Sequence, residues 1–181
     1  RKNKPACGVD QITWEMFEEN KKTELKQLNL SLANHDYTVM PVKMVTLYKG
    51  EKLRQVALYC MRDKVVQQSM AGELVKLYDN TFSDCVYAYR PGKSALTALE
   101  KISEKIRDDG FEWALRLDIE HFFDTIAIDQ MITLLRRQIR EEDTLELIRA
   151  ICNAPSISDT GELMKKRVGI YQGSAIAPVL S

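Results

Sequence analysis

The sequence predicts an α+β fold, and three observations carry this prediction. Long segments have apolar residues at helical spacing, and two pairs of strand-like segments are joined by short turns that contain Gly. These helices and hairpins are mixed and do not alternate as β-α-β units, which argues against a parallel α/β sheet. The 181 residues, 45% hydrophobic and 29% charged, have the composition of an ordinary globular chain with room for one or two small cores.

Helices are predicted in five regions of the chain. They cover residues 14–33, 62–80, 95–109, a stretch around 131–135 and another around 145–151. Thr13 and Ser94 are candidate N-caps, because a hydroxyl can accept a bond from the free N–H groups of a first turn, and Gly110 is a candidate stop. The third helix has an apolar stripe made of Leu96, Leu99, Ile102 and Ile106. Apolar helix faces are usually buried, so we expect all five to pack in the core.

Two β-hairpins are predicted between the helices. The first joins residues 38–48 to residues 52–60 through the turn Lys-Gly-Glu. The second spans residues 156–171, and its turn contains Asp159, Thr160 and Gly161.

Basic residues are concentrated on the first hairpin, although the formal net charge of the chain is zero. A zero balance argues against a uniformly basic surface and leaves a local basic groove open. The basic residues between positions 41 and 64 are Lys43, Lys49, Lys52, Arg54, Arg62 and Lys64. They are a candidate anion-binding surface or, equally, a solvated edge strand whose lysines deter aggregation. The turn YRPGKSA leads into a helix whose free N–H groups could take a phosphate, but Pro-Gly before a helix is also common turn chemistry.

Several classes of protein are disfavoured by the sequence. No apolar run approaches the roughly 20 residues of a membrane span and no signal-like start is visible, so we expect a cytoplasmic protein with no membrane partner. Four scattered cysteines without a CxxC pair indicate neither a zinc site nor a disulfide framework. The chain opens without methionine and stops in QGSAIAPVLS, which looks like the start of a helix, so we interpret it as a piece of a longer protein.

The sharpest chemical signal is a carboxylate at the end of a predicted strand. Residues 112–119 follow an Asp-Asp-Gly turn, and their apolar run predicts a buried strand that ends at Asp118. A carboxylate there suits Mg²⁺, which prefers oxygen ligands, but two-ion catalysis needs at least a second carboxylate. Taken without context, a structural carboxylate with a satisfied partner is the better interpretation of Asp118.

Four motifs in chain order resemble one known family. They are YKGEKLRQVALYCMRDKVVQQSM, FSDCVYAYRPGKSALTAL, LDIEHFFDTI and GIYQGSAIAPVLS. Their order and spacing resemble the fingers and early palm of bacterial reverse transcriptases, most closely the group II intron-encoded, or maturase, type. The resemblance implies a right-hand polymerase fold, of which the fingers and part of the palm are present and the thumb and the second half of the palm are absent.

The resemblance also implies a division of the chain into four segments. These are fingers over residues 1–110, a first palm segment over 111–127, connecting helices and a hairpin over 128–164, and a palm segment that leads into a truncated helix over 165–181.

The resemblance assigns a metal site to the third motif. Asp118 matches the first metal-binding aspartate of the palm, and Ile119 would add its backbone carbonyl to the same ion. The site would hold two Mg²⁺ ions, with the remaining carboxylates on a Tyr-x-Asp-Asp hairpin beyond residue 181. Phe123 matches the aromatic steric gate that excludes a ribose 2′-hydroxyl and so favours deoxynucleotides, and Phe122 is assigned to the core or to support near the triphosphate.

The resemblance also assigns residues to the nucleotide and the template. Lys49 and Arg54 match basic positions that hold the triphosphate of the incoming nucleotide, and Gln172 and Gly173 match a pair that lines the nucleotide pocket and touches the templating base. The turn expected to face the template consists of Arg90, Pro91 and Gly92. Two departures leave the branch of the family open between intron maturase, retron, CRISPR-associated and phage-defence enzymes. Tyr171 stands where relatives usually have proline, and RQVALY stands where they usually have an RPLGIP-like strand.

The implied function is RNA-directed DNA polymerisation, with an RNA template, a primer and dNTPs as partners and intron RNA as a further candidate. Because Asp118 lacks its partner carboxylates, the fragment alone is expected to be inactive. A rival hypothesis is a non-catalytic RNA-binding module of maturase type, which would not need Asp118. A third, an RNA-dependent RNA polymerase, would ordinarily want a polar group in place of Phe123. Apolar surface left exposed where the rest of the palm should pack is expected to favour self-association.

Overall fold

The computed structural model describes residues 5–50, 52–158, 161–165 and 168–181, and for Lys49 and Lys52 it describes the backbone alone. Helices and strands are mixed along the chain, which confirms the predicted α+β class. The helices are α1 Trp14–Glu19, α2 Lys21–Ala33, α3 Met61–Tyr78, α4 Ala95–Asp109, α5 Phe122–Thr125, α6 Ile128–Leu135, α7 Glu142–Cys152 and α8 Ala177–Leu180. The strands are β1 Val42–Lys49, β2 Lys52–Leu58, β3 Ser156–Ile157 and β4 Leu163–Met164.

The two predicted hairpins join in a four-stranded sheet of order β2-β1-β3-β4. Strand β1 is antiparallel to β2 and parallel to β3, and β3 is antiparallel to β4. The first hairpin forms where it is predicted, with somewhat shorter strands and with Lys49 paired with Lys52, and Glu51 of its turn lies outside the described residues. The second is shorter than predicted, with two residues in each strand, and Asp159 and Thr160 of its turn lie outside the described residues. The pairing of β1 with β3 ties the C-terminal part of the chain to the first hairpin.

The predicted helix caps are present. The Thr13 hydroxyl accepts a hydrogen bond from the first turn of α1 at 3.4 Å, and Ser94 forms a capping box at the start of α4. Gly110 ends α4 in the left-handed conformation. The helix predicted over residues 14–33 is instead two helices, α1 and α2, which meet at Asn20. Within the described ranges, no helix combines the length and the apolar character needed to cross a bilayer.

The core is formed by residues of α3, α6, α7, the sheet and the segment 169–177. Its large and fully buried apolar side chains include Tyr59, Leu145, Ile148, Ile151, Ile170 and Ile176. Full burial of one aliphatic side chain is worth about 1.5–3 kcal/mol. Tyr59, just after β2, donates its hydroxyl to the Ile151 carbonyl in α7 at 3.3 Å and so links the hairpin to the helices. This core supports β2, α3 and segment 169–177, which carry most of the candidate site.

Two parts of the apolar pattern are not buried, contrary to the prediction. Residues 111–119 form no strand: they are irregular and exposed, with Trp113 93% and Leu115 84% exposed. The stripe of α4 is on the predicted helix but is exposed as well. Helix α4 forms without burial because a helix satisfies its own backbone N–H and C=O groups, whereas a strand forms only with hydrogen bonds from a neighbour. None of the described strands pairs with residues 111–119.

Candidate functional site

The turn at Gln172 and Gly173 lies directly on strand β2. The Gln172 carbonyl accepts the Ala57 N–H at 2.8 Å. Gly173 has a φ of 104°, and a Cβ built there would stand 2.7 Å from the Ala57 carbonyl oxygen and 2.9 Å from Val56 Cγ1. Both the backbone conformation and the lack of space therefore require glycine. The pair assigned to the nucleotide pocket is thus held against the first hairpin.

Helix α3 contacts the same turn through the buried side chain of Gln67, which is 1% exposed. Its Oε1 accepts hydrogen bonds from Ser174 Oγ and from the Ala175 N–H, both at 2.9 Å. The sequence reasoning missed this residue because it assigned the whole helix to core packing. The available signal was a polar residue at helical spacing from buried apolar ones, since Gln67 precedes Leu74 by two turns.

The assigned steric gate adjoins the segment that carries the Gln-Gly turn. The Phe123 carbonyl accepts the Ile170 N–H at 2.7 Å, and the Ile126 carbonyl accepts the Gly169 N–H at 3.0 Å. A Cβ at Gly169, where φ is 83°, would stand 2.6 Å from the Phe123 carbonyl oxygen. The Phe123 ring is partly buried against the core and meets the Phe122 ring edge-on, with 5.7 Å between centroids. Gly169 is a second residue to which the sequence reasoning gave no role, and its signal was that it opens the fourth motif, GIYQGSAIAPVLS.

Strand β2 brings a basic side chain to the same face as Gly173. Side chains two residues apart on a strand point to one face, and Arg54 and Val56 are so related. Because the Val56 side chain contacts the position of Gly173, the Arg54 side chain lies on that face, about 7 Å along the strand. Arg54 is exposed, and no carboxylate of the described residues forms an ion pair with it. Lys49 ends β1 across the hairpin, and its side chain lies outside what the structure describes.

The assigned metal-binding residues lie in the exposed segment before α5. Asp118 is exposed, and Ile119 is 68% exposed, so the expectation that Asp118 ends a buried strand is wrong. Its carboxylate and the Ile119 carbonyl are oxygen donors of the kind that Mg²⁺ prefers, and they fit one part of such a site. Among the described residues there is no group of three or more His, Cys, Asp or Glu side chains that could hold a metal ion. The metal role of Asp118 therefore stays a prediction.

Arg90 of the template turn is engaged within the chain. Its guanidinium donates to the Asp79 carboxylate at 2.7 Å, to the Asp79 carbonyl at 2.9 Å and to the Ser83 carbonyl at 2.9 Å. The Arg90 side chain is 9% exposed, and its hydrogen bond lowers the pKa of Asp79. This geometry has Arg90 holding the loop together, and contact between Arg90 and a template stays a prediction.

Pro91 and Gly92 of the same turn are exposed, and a groove adjoins Pro91. The groove has a volume of about 630 Å³ and is lined by α3, by the loop at residues 89–91 and by residues of the segment 175–179. That segment continues directly from the Gln172–Gly173 turn. The groove therefore lies between the loop assigned to the template and the segment that follows the turn assigned to the nucleotide.

Tyr171 occupies the position before Gln-Gly where relatives usually have proline. Its ring is buried and meets the Tyr59 ring edge-on, with 6.5 Å between centroids. Burial raises the pKa of Tyr171, and a hydrogen bond with Ser156 opposes that rise. The tyrosine therefore fills core space beside the hairpin and anchors the start of the Gln-Gly turn to β3.

A basic hairpin, a Gln-Gly turn on its second strand and an aromatic pair beside that turn are typical of the fingers and palm of a right-hand polymerase. Residues 47–181 match the family described as Reverse transcriptase (RNA-dependent DNA polymerase), and the chain belongs to this family. The matched range contains every assigned site residue.

Relatives are found in yeast and in bacteria. The chain is 28% identical, over 99% of its length, to the Putative COX1/OXI3 intron 1 protein of Saccharomyces cerevisiae, of which it covers 21%. It is 27% identical, over 96% of its length in each case, to Protein YkfC of Escherichia coli and to the Group II intron-encoded protein LtrA of Lactococcus lactis, of which it covers 46% and 28%. The chain thus spans less than half the length of these relatives. The matches confirm the resemblance to reverse transcriptases of the group II intron-encoded type.

A solved structure has the same fold. It is described as a Partial Cas6-RT-Cas1--Cas2 complex, and it matches with a TM-score of 0.57 and 25% identity over 89% of this chain and 28% of that one. This likeness confirms the fingers and partial palm architecture.

Proposed function

We propose that this chain carries the nucleotide-binding part of an RNA-directed DNA polymerase, which adds dNTP nucleotides to a primer 3′-hydroxyl and releases pyrophosphate. The observation that carries the proposal is the junction of three assigned elements. The Phe123 backbone bonds to Ile170, and two residues later Gln172 bonds to strand β2. Membership of the reverse transcriptase family supports the same conclusion.

Each part of this junction has its own role in the proposed site. Arg54, with Lys49 at the end of β1, neutralises the triphosphate, because phosphoryl transfer depends on positioning and on balancing negative charge. The Phe123 ring occupies the space that a ribose 2′-hydroxyl would need, so deoxynucleotides are preferred. The Gln172–Gly173 turn supports the templating base, and glycine permits the close backbone approach.

The proposed metal site begins with Asp118 and the Ile119 carbonyl. Bound Mg²⁺ would lower the pKa of the primer 3′-hydroxyl and stabilise the charge that develops on pyrophosphate. Two ions need more than the single carboxylate assigned here. We therefore expect the isolated 181-residue chain not to extend a primer.

The proposed partners are an RNA template, a primer and dNTPs. Template recognition would use the exposed Pro91 and Gly92 and the adjoining groove, through the backbone and the A-form shape of RNA. The names of the relatives include group II intron-encoded proteins and an intron maturase, so intron RNA is a further candidate partner. A non-catalytic RNA-binding module of maturase type is the alternative.

The deciding experiment is primer extension on an RNA template with Mg²⁺, with the complete polypeptide that contains this chain. Asp118→Ala should lower the rate by at least about 10²-fold, the order expected when one charge-stabilising group is lost from an active site. Glu112→Ala is the matched control, because Glu112 is an exposed carboxylate of the same segment with no assigned role.

The same assay with ribonucleotides tests the sugar gate. Phe123→Ala should raise ribonucleotide incorporation relative to deoxynucleotides, and Phe111→Ala, which changes an exposed ring in the preceding segment, should not. Retention of full activity by Asp118→Ala would contradict the proposed metal site. No synthesis by the unsubstituted polypeptide, with tight RNA binding retained, would favour the binding module instead.

A further inference from the structure

Gln67 is a buried amide that is satisfied on one side. Its Oε1 accepts hydrogen bonds from Ser174 Oγ and from the Ala175 N–H, each at 2.9 Å. Its Nε2 is buried and has no partner among the residues that the structure describes. Because the Ala175 N–H can only donate, the oxygen must face it, and rotation of the amide by 180° would bring two donors together.

Packing alone does not explain a buried glutamine whose Nε2 has no partner among the described residues. An unpaired amide donor in a core costs free energy, and an apolar side chain of the same length would fill the space without that cost. Val66, Ala71 and Leu74, which are also buried on α3, are apolar, and Asp63 is the other buried polar side chain of this helix. The accepting oxygen is therefore what Gln67 contributes that these apolar neighbours do not.

The two Gln67 hydrogen bonds hold the residues that follow the turn, Ser174 and Ala175, whereas β2 contacts the turn itself. Strand β2 binds the Gln172 carbonyl and lies against Gly173. The chain then leaves the strand toward α8, and Gln67 binds the first two residues of that exit, Ser174 and Ala175. A shift of the turn along β2 by one residue would break both sets of contacts.

We propose that Gln67 is a positioning residue of the nucleotide pocket, whose Oε1 holds the Gln172–Gly173 turn at the point on β2 where it meets the templating base and the incoming nucleotide. The inference rests on the proposed function and deepens it. Gln67 does not touch the substrate and acts through the turn. When the turn is in place for only part of the time, the apparent affinity for dNTP falls by that fraction, and the step after binding is unchanged.

Three variants separate this role from simple stabilisation of the core. Gln67→Met keeps the length of the side chain and removes the acceptor, and Gln67→Glu keeps an acceptor. Leu74→Ala is the control, because it removes buried apolar contacts of the same helix, two turns from Gln67, and removes neither of the two Gln67 hydrogen bonds.

The first measurement is amide hydrogen exchange of the 181-residue chain. Gln67→Met should speed exchange at Ala175 by roughly tenfold, the effect of losing one buried hydrogen bond, and Gln67→Glu should stay close to the unsubstituted chain. Leu74→Ala should speed exchange over the core without a selective effect at Ala175. If Gln67→Met does not fold, Ser174→Ala takes its place. That variant removes one of the two donors and should speed exchange at Ala175 by a smaller factor.

The second measurement is steady-state incorporation by the complete polypeptide. Gln67→Met should raise the KM for dNTP by roughly tenfold and change kcat by less than about twofold, because uniform binding is lost and the chemical step is not. Gln67→Glu should restore most of the affinity.

The two measurements distinguish failure of this inference from failure of the proposed function. Unchanged exchange at Ala175 in folded Gln67→Met overturns the inference, and so does an unchanged KM beside faster exchange. Absence of synthesis by the unsubstituted polypeptide overturns the proposed function and with it the nucleotide part of the inference. The exchange result then still decides whether Gln67 holds the turn.

Discussion

Replacing Gly173 by alanine tests whether the Gln-Gly turn is pressed against strand β2. The φ of 104° is one that L side chains rarely adopt, and the added Cβ would lie 2.7 Å from the Ala57 carbonyl oxygen and 2.9 Å from Val56 Cγ1. The valine methyl can move by rotation of its side chain. The carbonyl oxygen cannot, because it belongs to a strand that is paired along its length with β1.

The expected cost of Gly173→Ala has two parts. A non-glycine residue in such a backbone conformation costs about 1–3 kcal/mol. A methyl group forced into a packed contact costs about 1–3 kcal/mol more. We therefore expect the free energy of unfolding to fall by about 2–6 kcal/mol, which for a chain of this size corresponds to a decrease in Tm of roughly 5–20 °C.

Thermal and urea unfolding of the 181-residue chain, followed by circular dichroism, measures this cost. Gly161→Ala is the matched control: Gly161 also has a positive φ, 85°, but its Cβ position has nothing within 4 Å. The control therefore reports the backbone cost alone, about 1–3 kcal/mol. The difference between the two variants measures the close approach of the turn to β2.

Equal losses of stability in Gly173→Ala and Gly161→Ala would refute this reasoning. The turn would then have room to move away from Ala57 at no cost, and contact with β2 would not define its position. The nucleotide pocket would then have no fixed position on β2.

Three further predictions concern other parts of the chain. Gly169→Ala, whose Cβ would stand 2.6 Å from the Phe123 carbonyl oxygen, should lower Tm and, in the complete polypeptide, weaken discrimination between deoxynucleotides and ribonucleotides, as measured by the incorporation ratio. Asp79→Ala removes the carboxylate that holds Arg90 and should speed limited chymotrypsin proteolysis of the loop at residues 82–92. Little change in Tm is expected, because Arg90 keeps its hydrogen bonds to the Asp79 and Ser83 carbonyls. Burial raises the pKa of Asp63 from its ordinary value of 3.8. The protonated carboxyl therefore stabilises the fold fully at a pH below the unfolded pKa, and this stability is lost as pH rises through the folded pKa. Urea titrations at several pH values should therefore show the unsubstituted chain losing stability relative to Asp63→Asn as pH rises above 3.8.

Each of these predictions has an outcome that contradicts it. For Gly169→Ala it is an unchanged incorporation ratio together with an unchanged Tm. For Asp79→Ala it is a digestion pattern identical to that of the unsubstituted chain. For Asp63 it is a constant difference in stability between the two chains across the pH range.

The assigned site shows which features local sequence can predict. The hairpin that carries Arg54 forms where it is predicted, because alternation and turn residues act over a few neighbouring positions. The helix expected from Gln172 onward begins only at Ala177, and Gln172 and Gly173 form a turn on β2 instead. The sequence reasoning missed Gln67 and Gly169, because their partners Ala175 and Phe123 lie far away along the chain. The polar residue on an apolar helix face and the glycine are visible in the sequence, but the local pattern does not indicate which distant residues they contact.

Arg90 illustrates a second limit. The motif around it indicates a basic turn, and a basic turn can face a phosphate or hold its own loop. Only the position of Asp79, eleven residues earlier in the chain, decides that its guanidinium is engaged internally. The sequence shows that Arg90 is charged, and only the folded structure shows that its partner is Asp79.

The sequence by itself determines the α+β class, the helix caps at Thr13 and Ser94, the first hairpin and the reverse transcriptase family. These follow from hydrogen bonds and side-chain periodicities that lie within single elements, or from motifs in a fixed order. The tertiary structure alone decides that the Gln-Gly turn is held between β2 and α3, and that residues 111–119 remain outside the sheet. A helix such as α4 satisfies its own backbone and forms even with its apolar stripe exposed. A strand satisfies its backbone only through a neighbour, so its presence depends on what the rest of the fold supplies.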